Sequence, residues 1–157
     1  MRKLTFLILI NIPLLCFAPI LTTDPNVEAY KVYLIEKAKS DFKALKINYL
    51  ILAVSYVESR GNSLAYNEKE GACGHLQIRN VMMRHVNQIS NSNYTASDCF
   101  DYDKSIEMFR LVMDRHNPDY DIRTACRVWN GKGKDGKGSV DYYEKVLNRY
   151  NSLKSKL

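Results

Sequence analysis

An apolar stretch with helical spacing, Ile47, Leu50, Ile51, Val54 and Val57, runs straight into Glu58-Ser59-Arg60-Gly61-Asn62. Residues three and four apart share one face of a helix, so this set predicts a helix with a buried side. Gly61-Asn62 stops it, because glycine readily takes the left-handed backbone that ends helices. A single carboxylate, Glu58, therefore falls at the C-terminal end of a largely apolar helix. Desolvation in such a place penalises the charged form of a carboxylic acid. An acid that stays protonated near neutral pH can give its proton to a leaving group. Just beyond, residues 61–80 hold Gly61, Asn62, Asn67, Gly71 and Gly74. They break helical periodicity and predict a loop or short irregular strands.

Helical patterns flank this segment on both sides. Asp24-Pro25 reads as a helix start, with Asp as cap and Pro in the first turn. From there to Lys46, Val27, Tyr30, Val32, Tyr33, Ile35, Ala38, Phe42 and Leu45 predict an amphipathic packing helix. Leu45-Lys46-Ile47 leads into a second helix, Asn48 to Glu58. Val81 to Ile89 predicts a short helix and Asn91-Ser92-Asn93 a loop. Ser105 to His116 carries Ile106, Phe109, Val112 and Met113 on one side, and Asn117-Pro118-Asp119 ends it. Ile122 to Trp129 and Val140 to Leu153 complete the helices. Between these two, Gly131, Gly133, Gly136 and Gly138 interleave with Lys132, Lys134 and Lys137 as a flexible basic loop. It is no dinucleotide fingerprint, since no strand precedes it. The chain contains no internal repeat and is long enough to bury one core. It reads as a mostly α, single helical domain with a small β-hairpin or loop lobe.

Met1-Arg2-Lys3 followed by Leu4 to Ala18 has the charged start and apolar run of an export signal. Asn11 and Pro13 interrupt that run and weaken it as a permanent membrane span. The expected organisation is thus a signal peptide over 1–23 and a domain over 24–157. The alternative is an uncleaved N-terminal anchor, the only contact with a membrane that the sequence supports. The formal net charge of +6 and a pI near 9.1 suit polyanions, whether nucleic acid, anionic lipid or bacterial wall polymers, and equally suit plain solubility. No Lys/Arg run with interleaved aromatics supports nucleic-acid binding. Export permits a disulfide, yet Cys73, Cys99 and Cys126 are odd in number. One bridge with a free thiol and three buried thiols both remain open. Cys73 with His75 two residues on is a formal nucleophile pair, but a Cys between Ala72 and Gly74 is more often a small packing residue. His75, His85 and His116 are scattered, with no zinc-like spacing, so no metal is expected.

Four motifs occur in order between Ile47 and about Tyr150. They are Glu58-Ser59; Gly71-Ala72-Cys73-Gly74-His75-Leu76-Gln77; Ala125-Cys126-Arg127-Val128-Trp129-Asn130-Gly131-Lys132; and Tyr142-Tyr143-Glu144-Lys145-Val146. Together they resemble the lytic transglycosylase family of the lysozyme superfamily, in its soluble-lytic-transglycosylase (SLT-type) form. That family reads Glu-Ser, Gly-x-x-Gly-Leu-Met-Gln, Ala-x-x-x-Tyr-Asn-x-Gly and Tyr-x-x-Lys-Val. The resemblance implies a lysozyme-like α+β fold with the small lobe beside an active-site cleft. It also implies cleavage of peptidoglycan glycan strands in the periplasm or outside the cell, with no cofactor.

On that resemblance Glu58 is the catalytic residue, protonating the glycosidic oxygen and then acting as base. The C6 hydroxyl of the sugar attacks and leaves a 1,6-anhydromuramic end, helped by the substrate's N-acetyl group in place of a second carboxylate. Ser59 orients the acid or the acetamido group, or else caps the local turn. Gln77 and Asn130 match substrate-site positions. Trp129 stands where the family has Tyr, with a ring suited to sugar stacking or to the core. Tyr142 matches the hydroxyl that reaches the acid, with Tyr143 as its confusable neighbour. Two departures are His75-Leu76 for Leu-Met, which removes a substrate-contacting Met, and Lys132 at a glycine position. A hydrolysing lysozyme is the nearest rival and needs a second acid, for which Glu68, Glu70, Asp98 and Asp101 are candidates. A non-catalytic wall-binding or assembly protein is the rival from another class. Roles beside a secretion, conjugation or phage assembly are all compatible with the sequence.

Overall fold

The computed structural model describes residues 25–131 and 137–155. The expected signal or anchor over 1–23, and Lys132 to Gly136 of the basic loop, lie outside them. The chain divides into two compact units, Met1–Lys39 and Ser40–Leu157.

Helix α1 is Pro25–Ser59 and is unbroken over 35 residues. The two helices expected here are thus one. No Gly or Pro follows Pro25 within it, so nothing in the backbone interrupts the hydrogen-bond ladder. Its early apolar residues do not pack as expected: Tyr30 is 62% and Phe42 68% exposed. Apolar side chains at Tyr30, Val32, Tyr33, Leu34 and Ile35 point all round the helix, which leaves no single stripe to bury. Within Ser40–Leu157, Leu50, Ile51 and Val54 are buried, as the spacing predicts, with Ala53 beside them, while Ile47 and Val57 are half-buried. The helix ends where Arg60 and Gly61 take positive φ of 59° and 82°. Their backbone N–H groups bond back to the carbonyls of Tyr56 and Ser55.

Three two-residue strands follow: β1 Tyr66–Asn67, β2 Ala72–Cys73 and β3 Ile78–Arg79. They form an antiparallel sheet in the order β1-β2-β3, with Tyr66 opposite Cys73 and Cys73 opposite Ile78. Gly74 follows the central strand at φ +76°, and a Cβ there would lie 1.7 Å from the Cys99 carbonyl oxygen. No other residue fits that approach. It locks the sheet against the 3-10 turn Ala96–Phe100.

Helices α2 Asn80–Ser90, α3 Tyr102–His116, α4 Ile122–Asn130 and α5 Lys137–Lys154 complete the fold. The last begins earlier than the Val140 expected from sequence. Asp101 and Asp121 cap α3 and α4 by accepting from the backbone N–H of Lys104 and Thr124, at 3.0 and 2.8 Å. The core gathers Leu50 and Val54 with Phe109, Val112 and Met113 of α3, Trp129 of α4 and Val146 of α5. The protein is mostly helical with one small antiparallel sheet. Among the described residues no helix is long and apolar enough to cross a membrane.

Candidate active site

Glu58 lies on the last turn of α1, half-buried, in the wall of a cleft of about 420 Å³. The sheet lobe contributes Asn67, Glu70, Ala72, Gln77 and Arg79, and α2 contributes Met82. Trp129 and Asn130 arrive from α4, and Asp141, Tyr142 and Lys145 from α5. Five of the six residues singled out from the sequence thus border one cavity: Glu58, Gln77, Trp129, Asn130 and Tyr142. They come from elements far apart in the chain.

The Tyr142 hydroxyl donates to Glu58 Oε1 at 2.6 Å. Burial, with the Glu58 charge beside it, raises the Tyr142 phenol well above its ordinary value, so it stays a donor. Its neighbour Tyr143 instead places its ring under the Arg123 guanidinium, 4.2 Å from ring centre. Gln77 holds a positive φ of 50°, and its side-chain amide donates to the Gly74 carbonyl at 3.0 Å. The last carbonyl of α4, at Asn130, accepts from Arg79 Nη2 at 3.2 Å, which ties α4 to β3.

Trp129 borders the cleft but is only 4% exposed. Its indole N–H donates to the Leu76 carbonyl at 3.0 Å, and its ring centre lies 4.7 Å from that of Phe109. It therefore packs the wall and does not offer an open stacking face. Ser59 is the sixth residue and does not line the cavity. Its hydroxyl donates to the His75 carbonyl at 2.9 Å, fastening the end of α1 to the loop before β3.

His75 is fully buried. Nδ1 lies 2.8 Å from Ser55 Oγ and Nε2 2.7 Å from Ser105 Oγ, while the ring stacks on Tyr102. The Ser105 hydroxyl also donates to the Tyr102 carbonyl. Its oxygen then accepts from His75 Nε2–H, and Nδ1 accepts from Ser55. Burial holds the imidazole below its usual pKa and so keeps it neutral. The chain of contacts Ser55–His75–Ser105 joins α1 to α3. With both ring nitrogens so engaged, His75 does not activate Cys73.

Cys73, Cys99 and Cys126 are buried and unbridged. Cys73 Sγ donates to the Ile78 carbonyl at 3.3 Å. Burial pushes the Cys99 and Cys126 thiols up to about 12, and for Cys99 the neighbouring Cys73 thiol adds to it. A second acid also has a narrower choice than the sequence allowed. Glu70 lines the cleft, whereas Glu68, Asp98 and Asp101 do not. Asp98 is occupied by Lys104 and the Thr95 turn, which hold its carboxyl down to about 2. Asp101 is the cap of α3.

Several cleft residues carry no signal in the sequence. Met82 lines the cleft from α2. Asp141 lies in the wall, paired with Lys145 at 2.6 Å. His85 and His116, read as scattered, meet with Nε2 atoms 2.7 Å apart between α2 and α3. Among the described residues, however, no group of three or more His, Cys, Asp or Glu could hold a metal ion. No protein-family model, no curated protein and no solved structure matches the chain.

Proposed function

We propose that the protein is a lysozyme-like lytic transglycosylase, exported to the wall, that cleaves the β-1,4 bond between MurNAc and GlcNAc in peptidoglycan. The supporting observation is Glu58, half-buried in a polar cleft, with its carboxyl oriented by a 2.6 Å hydrogen bond from Tyr142. Gln77 and Asn130 in the same wall provide amides that suit acetamido groups. Glu58 protonates the glycosidic oxygen as the bond breaks, while the substrate's N-acetyl oxygen stabilises the sugar cation. The resulting carboxylate then takes the proton of the C6 hydroxyl, which attacks C1 and closes the 1,6-anhydro ring. No water and no cofactor enter this sequence. A hydrolytic reading rests on Glu70, a second carboxylate in the same cleft.

The test is mass spectrometry of peptidoglycan digested by the full-length chain, with Glu58→Gln as control. Glutamine keeps the size of the side chain and an oxygen for Tyr142, but has no proton to give. Anhydromuramic ends are expected from the native protein. The variant should lose activity by a factor on the order of a hundred or more at unchanged folding. Reducing ends would replace the transglycosylase by a hydrolase. Full activity in the variant would sink both, and no products from either protein would point to a wall-binding protein.

A further inference from the structure

A second cavity, of about 480 Å³, adjoins the cleft and shares Val57 and Lys145 with it. Its charged lining is Arg60, Arg149 and Lys145, the last of which is paired with Asp141 of the adjoining cleft. Arg60 lies at the end of α1. Lys145, Asn148, Arg149 and Ser152 fall at i, i+3, i+4 and i+7, one face of α5. Both guanidinium groups sit over the ring of Tyr56, 4.4 Å and 4.0 Å from its centre for Arg60 and Arg149. Among the described residues neither has an ion-pair or hydrogen-bond partner beyond that ring. Arg149 Nε is buried with its N–H unsatisfied. Two like charges share one aromatic platform, and a buried donor is left open; both features are unfavourable until an anion arrives.

We propose that this cavity is an anion subsite for a carboxylate of the peptide carried by muramic acid. The assignment rests on the glycan-cleaving reading of the cleft. Guanidinium forks match the two oxygens of a carboxylate. Asn148 and Ser152 add uncharged donors and acceptors that can pair with both the N–H and the C=O of peptide amides. The shared wall at Val57 and Lys145 brings the subsite alongside a strand in the cleft, so a peptide hanging from the sugar reaches it. The cavity thus selects strands that still bear peptides.

The test compares initial cleavage rates on peptide-bearing strands and on the same strands stripped by an amidase, using the full-length chain. A native preference of about ten-fold for peptide-bearing strands is expected, falling toward one in Arg60→Gln/Arg149→Gln. Melting temperatures check folding, and Arg60→Gln alone serves if the double variant is unstable. A preference that survives the substitutions, or equal losses on both strands, overturns the subsite. If the native protein cleaves neither strand, the cleavage reading fails separately, and binding decides the subsite. Full-length Glu58→Gln is then titrated with a muramyl tripeptide, with its fully amidated form and with inorganic phosphate. Saturable binding of the charged tripeptide alone, lost in the arginine variants, upholds the subsite. Binding of phosphate alone, or of none of the three, refutes it.

Discussion

Tyr142 and Glu58 lie 84 residues apart in sequence and 2.6 Å apart in space. The hydroxyl sets the direction of the acid, so its removal should be felt in catalysis and little in folding. Tyr142→Phe keeps the ring and is expected to lower kcat/KM about ten-fold with a near-native melting temperature. An unaltered rate would mean that Tyr142 only packs. His75 behaves differently, because its effect is on stability. Its native pKa lies below the ordinary 6.5, while the unfolded chain titrates near that value. Between the two values the unfolded state binds more protons. The contribution of neutral His75 is therefore complete above about pH 6.5 and is lost as the pH falls through the native pKa. His116, lowered by burial and then by His85 and Arg115, slopes the same way. Urea titrations at several pH values between about 5 and 8 should show this acid-side decline. It should be shallower in His75→Gln, and an identical slope would remove His75 from the account.

Among the elements, α1 and the sheet lobe do the positioning. The site-bearing end of α1 was legible because its apolar residues repeat at helical spacing up to Glu58. The early part was misread as a separate packing helix, since periodicity alone does not say whether an apolar side chain finds a partner. The strands of the lobe, two residues each, are too short for any alternation to appear. Their geometry depends on Gly74, whose left-handed backbone abuts the Cys99 carbonyl. Gly74→Ala should destabilise the protein by about 3 kcal/mol in chemical denaturation, through backbone strain and a forced shift of the 3-10 turn. A loss under about 0.5 kcal/mol would mean that the turn yields freely.

At the level of the molecule, the four motifs all reach one cleft, because each falls on a segment that borders it. Met82 and Asp141 were not foretold. They enter the cleft through the packing of α2 and α5, which no local spacing encodes. The same holds for the thiols, whose number left bridging open. Cys73, Cys99 and Cys126 are all buried, so a thiol reagent should find at most Cys16 in the native full-length chain and the other three only after unfolding. Fast labelling of two or more thiols in the native protein would contradict that burial.

The 84-residue span of the Tyr142–Glu58 bond also bears on when the site comes into being. A growing polypeptide presents the acid well before the hydroxyl that aims it. The wall formed by α5 is synthesised after the other walls of the cleft. On the proposed function, activity therefore waits for α5. A fragment released before Lys137 would still display Glu58, yet it would lack the Tyr142 hydroxyl and be latent.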